Sequence, residues 1–210
     1  MGGAETSKGS SGAPIARGSR DRGGGPSVLA LAWDRYLRQL EKNPLRTKAI
    51  TSSVIAGFSD VVAQRMIWKG PLNWRRTAAL AVFGLVWSGP ANHYWQAFLE
   101  RLFRGKRDAA TLCKKVLLDQ LSYGPLNNVL LMSYITLIVE GRSWDFTRTK
   151  LFNDFAGVQK NGWRLWPLAS FINYRFVPLR LRVLFVNVVA FFWSTFMILR
   201  SRTSLVAIRR

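Results

Sequence analysis

Apolar residues gather into four long runs, at 49–67, 77–99, 116–139 and 183–199, and cations cluster at the ends of those runs. At about 1.5 Å per helical residue, each run can cross a hydrocarbon core of about 30 Å. The pattern predicts an all-α integral membrane protein with four transmembrane helices. Trp68, Trp74, Trp95 and Trp144 sit near run ends, where interfacial aromatics collect. Upstream, Leu29, Trp33, Tyr36, Leu37 and Leu40 recur at helical spacing, with Asp34, Arg35, Arg38, Gln39, Glu41 and Lys42 opposite. Residues 29–42 therefore read as an N-terminal amphipathic helix, either lying in the membrane interface or packed on the protein's own loops. A fifth apolar stretch, 163–178, is shorter and carries two prolines and two arginines. It reads as a short re-entrant or interfacial segment before the last helix. Residues 1–27 are rich in Gly, Ser and Arg and are expected to be a disordered tail, leaving 28–210 as the membrane domain. The tail has no apolar stretch of the secretory-signal kind.

Composition changes this picture in one respect. The chain is 49% hydrophobic with nine Trp, yet it carries 31 Lys and Arg against 11 Asp and Glu, a net charge of +20. A strongly basic chain invites a nucleic-acid partner. The cations argue against one, because they cluster beside the apolar runs and leave the runs nearly uncharged, as basic loops do beside a lipid bilayer. Four crossings with a basic 100–115 loop place both termini on one side, and the charge rule makes that side the cytosol. Cys113 is the single cysteine and His93 the single histidine, so neither a disulfide nor a conventional metal site is expected. No nucleophile, phosphate-loop or dinucleotide motif appears, and no enzyme activity or cofactor is expected.

Polar residues inside the runs are the candidate chemistry. Ala49, Ser53, Gly57, Asp60 and Gln64 share a helix face in the first run, and Ala81, Gly84, Ser88, Asn92 and Gln96 do so in the second. Small residues let helices approach closely, so packing explains most of each stripe. Asp60 is different: a carboxylate within a span costs about 2.5–3.5 kcal/mol on insertion scales and marks either a polar path or an ion pair. Asp119 and Gln120 raise the same question, with Lys115 four residues earlier as an available salt-bridge partner for Asp119.

Two breaks share one wording. Gly89-Pro90-Ala91-Asn92-His93 interrupts the second run and Gly124-Pro125-Leu126-Asn127-Asn128 the third. Proline cannot donate its backbone hydrogen bond, so each break frees a carbonyl and favours a kink. Adjacent spans run antiparallel, and matched Gly/Pro interruptions in such segments point to a midplane site. Asn92, Asn127 and Asn128 would then face water or a neutral polar solute. Alternatively, the amides simply bind the freed carbonyls.

Several of these residues carry a resemblance. Trp33, Tyr36, Leu40 and Asn43-Pro44-Leu45-Arg46-Thr47-Lys48 lead into Gly57-Phe58-Ser59-Asp60-Val61-Val62-Ala63-Gln64 and Gly89-Pro90-Ala91-Asn92-His93-Tyr94-Trp95. Lys114-Lys115, Asp119-Gln120, Trp163, Trp166-Pro167, Ile172-Asn173-Tyr174, Val177-Pro178 and Arg182 follow in order. Across about 33–202 this resembles the 22 kDa peroxisomal membrane proteins and their mitochondrial inner-membrane relatives, most closely the plant peroxisomal branch. Many members carry Gln where this chain has Ser170, so a role for that amide does not transfer. The resemblance implies a four-helix protein of the peroxisomal membrane, a pore for small solutes and a link to reactive-oxygen metabolism. It also implies the peroxisomal membrane-protein import machinery and the lipid bilayer as partners.

The expected polar path comprises Asp60, Gln64, Asn92, His93, Asp119, Gln120, Asn127, Asn128 and Asn173, shaped by Gly89, Pro90, Gly124 and Pro125. A single four-helix bundle leaves little room for a lumen, so a homo-oligomer with a pore between protomers is one arrangement. The alternatives are a non-conducting scaffold, or a mitochondrial inner-membrane member of the same family.

Overall fold

The computed structural model describes residues 27–67, 70–106 and 108–208, with side chains described through 195. Apart from Ser27, the tail expected over 1–27 lies outside the described residues, as do Trp68 and the side chains of Arg200 and Arg202. Among the described residues all regular structure is helical. Helix α1 (Val28–Lys42) begins where the Ser27 hydroxyl accepts from the Ala30 amide, a side-chain N-cap. It packs on α2 (Pro44–Ile67), where the Tyr36 hydroxyl accepts from Thr51 at 3.4 Å. Pro44 opens α2 at a position where its missing amide costs nothing.

Two longer rods follow. Helix α3 (Trp74–Phe83) continues through a π turn, Gly84–Ser88, into α4 (Gly89–Leu102). Helix α5 (Ala109–Leu118) continues through a π turn, Asp119–Tyr123, into α6 (Gly124–Tyr134) and a further π turn, Ile135–Val139. The residues at each junction keep right-handed helical dihedrals, so neither rod is broken. Helices α7 (Trp144–Gly162), α8 (Trp166–Phe176) and α9 (Arg182–Ile208) complete the bundle. Among the described residues, no single helix is long and apolar enough to cross a membrane. The π turns divide the second and third runs into helices that are each short, although the helical path through them is continuous.

The arrangement of the last third differs from expectation. In α9, Asn187 donates to the Ser52 hydroxyl at 2.7 Å and Phe191 meets Phe58 with ring centroids 5.6 Å apart. Later residues of α9 thus meet later residues of α2, and the two helices are parallel. The chain must cross the bundle between residues 140 and 182, and α7 with α8 makes that crossing. Asn128 of α6 donates to Gln159 of α7 at 2.9 Å, and Ser170 of α8 reaches Asp119. Tyr174, further along α8, packs with Leu99 and Leu112. The segment 163–178 is therefore the second half of an arm rather than a short re-entrant piece. The first half carries Arg148, Lys150, Asp154 and Lys160, which keep its mean hydropathy low and hide it from a search for apolar runs. With α2 and α9 parallel, the start of α2 and the end of α9 lie at opposite ends of the bundle, whereas four alternating spans would put them at one end.

One end of the bundle is closed by a buried ionic cluster. The Glu100 carboxylate accepts from Lys115 at 3.1 Å and from Arg182 at 2.9 Å, and both cations are fully buried. Arg182 also donates to the Val177 carbonyl, and Lys115 to that of Lys106. The expected Lys115–Asp119 bridge does not form, because Lys115 reaches back to the end of α4. Burial alone would raise the Glu100 carboxyl; hydrogen bonds and charge from Arg182 and Lys115 outweigh it and hold the group below the ordinary carboxylate value.

Candidate functional site

The interior polarity of this bundle is inverted. Asp60, Gln64, Asn92, Gln96, Gln120, Thr136 and Asn173 are buried, whereas Val54, Phe58, Val86, Phe98, Leu121, Ile138 and Phe192 face outward. Of these buried polar residues, Asp60, Asn92, Gln96, Gln120 and Asn173 line a central cavity of about 510 Å³. At roughly 30 Å³ each, about 17 waters would fill such a volume. Its lining includes Ser52, Asp60, Asn92, Gln96, Asp119, Gln120, Tyr123, Asn127, Asn128, Gln159, Ser170, Asn173 and Asn187.

Helix α2 sets one wall, and glycine decides how closely the second rod approaches it. A Cβ on Gly84 would lie 2.7 Å from the Ser52 carbonyl oxygen, and one on Gly89 would lie 2.5 Å from the Ala49 Cα. Real Cβ atoms do not tolerate such distances from backbone, so these two glycines permit the contact. Gly124 is different. A Cβ there would meet only the Asp119 carbonyl of its own helix, at 3.2 Å.

Both Gly-Pro breaks are resolved by π turns instead of by interrupted helices. The Gly89 amide donates to Gly84 and the Gly124 amide to Asp119, five residues back in each case. The wider turn ends just before each proline, so Pro90 and Pro125 enter the first turn of the following helix. The two break regions also meet, as their antiparallel placement predicts: Trp87, in the π turn that leads into the first, donates its indole N–H to Asn127 in the second at 3.2 Å. Their amides nevertheless act differently. Asn92 donates to the Ser88 carbonyl at 2.9 Å, which is local backbone satisfaction, while Asn127 and Asn128 join separate arms.

Asp60 sits on the cavity wall and is fully engaged. It accepts from Arg76 at 2.9 Å, from the Thr77 hydroxyl at 2.7 Å and from Gln64 at 2.6 Å. Gln64 in turn accepts from the Asn73 amide at 2.7 Å. The carboxylate thus faces the start of α3, where a negative charge is favoured by the free amides of the first turn. The ion-pair alternative describes Asp60, although the residue still lines the cavity. Gln64 does not line it.

His93 lies apart from the cavity. Its Nδ1 is 3.1 Å from the Lys48 ammonium, which also approaches the Leu179 carbonyl at 3.5 Å. Burial, then the charge of Arg182, pushes Lys48 below the ordinary lysine value.

Asp119 is the unusual group. Its Oδ1 accepts from the Trp95 indole at 2.9 Å, and its Oδ2 accepts from Ser170 at 2.6 Å and from Gln120 at 3.2 Å. No ion pair among the described residues includes it. The cavity therefore gathers seven expected path residues: Asp60, Asn92, Asp119, Gln120, Asn127, Asn128 and Asn173. It adds Gln159 and Asn187, which sequence reasoning missed. Gln159 stands in the charged half-arm, where no apolar run drew attention to it. Asn187 is a lone amide in the last run and could have been found by asking the question raised for Asp60.

Comparison with known proteins shows similarity over most of the chain. The model of the Mpv17 / PMP22 family matches residues 137–197. The chain is 40% identical over 176 residues to the peroxisomal membrane protein PMP22 of Arabidopsis thaliana, covering 84% of this chain and 93% of that one. It is 39% identical over 162 residues to PXMP2/4 family protein 3 of Dictyostelium discoideum, covering 77% and 86%. It is 31% identical over 164 residues to the mitochondrial inner membrane protein Mpv17 of Caenorhabditis briggsae, covering 78% and 90%. No solved structure matches the chain.

Proposed function

The chain belongs to the Mpv17 / PMP22 family, and from that premise we propose that it is an integral protein of the peroxisomal membrane whose central cavity passes small solutes. The inverted polarity of the bundle carries this reading. Water-soluble monomers seldom turn so many large apolar side chains outward while burying amides and a carboxylate, and intramembrane polar groups turn toward protein or an aqueous path. In this arrangement the rods 74–102 and 109–139, together with α2, α9 and the α7–α8 arm, surround the path. Helix α1 meets the interface at its start, where Val28, Leu29, Leu31 and Trp33 are exposed. The peroxisome is favoured over the mitochondrion by the name and the higher identity of the Arabidopsis relative.

Amides and hydroxyls can each donate and accept, so their ring exchanges hydrogen bonds with water or a polar solute as it loses its hydration. Flux through liposomes tests this. Wild-type protein should pass small polar solutes, and Ala190→Phe, which places a ring in the cavity wall, should slow them with the fold intact. Equal flux in both would remove the cavity from the path. One observation favours the scaffold reading: Asp60, Gln64 and Asn92 direct their hydrogen bonds into the bundle itself. A scaffold would leave liposomes tight. Fluorescent tagging in cells decides between peroxisomal and mitochondrial membranes.

A further inference from the structure

We propose that the cavity holds a binding site for a small hydrogen-bonding monocation, of the primary ammonium class, with the Asp119 carboxylate as its counter-charge. The inference rests on the solute-path reading above and names the class of solute that the path favours.

Three observations converge on it. The carboxyl and guanidinium groups lining the cavity are those of Asp60, Arg76 and Asp119, and Asp60 is already paired with Arg76 at 2.9 Å. Asp119 is left as the carboxyl with no ion-pair partner among the described residues. Its neutral donors, Trp95, Ser170, Gln120 and Tyr174, orient the carboxyl and bring no opposite charge, and a carboxylate inside a membrane bundle calls for a cationic partner. The remaining hydrogen-bonding capacity of the lining points the same way. The side-chain carbonyl oxygens of Gln96 and Asn173, together with the Tyr123 hydroxyl, are buried without a partner. Gln96 is 2% exposed and Asn173 is 1% exposed, and both line the cavity. Buried acceptors of this kind are costly unless a donor reaches them. Finally, Trp95 stacks on Tyr123 with centroids 5.2 Å apart beside the same carboxylate, and Tyr123 brings an aromatic ring to the cavity lining, a group that suits a cation. A ligand with one positive charge and several N–H donors answers all three demands. A neutral amide answers one.

Full-length protein in detergent tests the site by calorimetric titration with methylammonium, tetramethylammonium and acetamide. Methylammonium should bind more tightly than either of the others, since tetramethylammonium has no N–H and acetamide no charge. Asp119→Asn, close in shape, should weaken methylammonium binding at least about tenfold, the factor that corresponds to 1.4 kcal/mol. Gln96→Met, which keeps the charge, should weaken it about three- to tenfold through one lost acceptor. If Asp119→Asn does not fold, the Gln96→Met effect and the preference over tetramethylammonium decide the matter. No methylammonium binding to wild type, equal binding of tetramethylammonium, or unchanged affinity in a folded Asp119→Asn protein would overturn the site. Binding with these dependences in protein that leaves liposomes tight supports the site and refutes the solute path.

Discussion

Gly89→Ala and Gly124→Ala make the same change at corresponding positions of the two Gly-Pro breaks, and the structure predicts opposite behaviour. At Gly89 the new Cβ would lie 2.5 Å from the Ala49 Cα, 3.0 Å from the Ala49 nitrogen and 3.1 Å from the Lys48 carbonyl oxygen. All three are backbone atoms of α2, so no side chain can rotate away. The rods must separate by about 1 Å, and overpacking of this kind typically costs 1–3 kcal/mol. Replacing a helical glycine by alanine returns roughly 0.5–1 kcal/mol of chain entropy, while separation also loosens the close contact at Gly84. The net loss for Gly89→Ala should be about 0.5–2.5 kcal/mol. At Gly124 the nearest atom is the Asp119 carbonyl oxygen at 3.2 Å, within the same helix. A shift of a few tenths of an ångström relieves that contact, and the entropy gain offsets it. The net effect should lie within about 0.5 kcal/mol of zero. Equilibrium unfolding in mixed micelles, followed by circular dichroism, measures both. Equal losses at the two positions would refute the reasoning, because the breaks would then be structurally equivalent.

Other expectations follow from the charged and amide contacts. Glu100→Gln should destabilise by on the order of 3 kcal/mol, because it leaves buried Lys115 and Arg182 without their shared counter-charge. The pH dependence has a definite sign. A carboxyl held below its unfolded value contributes fully above that value, about 4.3, and loses the contribution as pH falls through the folded one. The gap between wild type and Glu100→Gln, read from unfolding curves, should therefore narrow below about pH 4.5 and hold steady above it. Asp60→Asn should cost about 1–2 kcal/mol, less than a sealed ion pair would, because the Arg76 side chain is 39% exposed and screened by solvent. A double-mutant cycle of Trp87→Phe with Asn127→Leu should show coupling of about 0.5–1.5 kcal/mol for the hydrogen bond that joins the breaks. Zero coupling would mean that the breaks do not meet.

What the sequence could reveal followed from physics that is local in the chain. The apolar runs predicted helices that the structure contains, and the stripe with Ala81, Gly84 and Ser88 pointed to a close helix contact that Gly84 makes against Ser52. Asn127 and Asn128 were legible as interior polar groups because nothing in an apolar run explains paired amides. The α7–α8 arm was not legible. Its first half mixes Phe152 and Val158 with Arg148, Asp154 and Lys160, and hydropathy averages these into an ordinary loop. Missing that arm reversed the direction assigned to α9. The partners of Asp119 were hidden for a different reason. Trp95 and Ser170 are 24 and 51 residues away in sequence, so only the tertiary fold shows that Lys115 answers Glu100 and leaves Asp119 to neutral donors. The family resemblance named the right group of proteins without supplying these contacts, and Ser170 stands where many members were expected to carry Gln.

The most direct test is solute flux through liposomes containing purified wild-type protein, with Ala190→Phe beside it at matched density and verified fold. Wild-type flux that Ala190→Phe slows several-fold would place the path through the 510 Å³ cavity. Folded wild-type protein that leaves the liposomes tight, or flux that Ala190→Phe leaves unchanged, would contradict a path through the bundle.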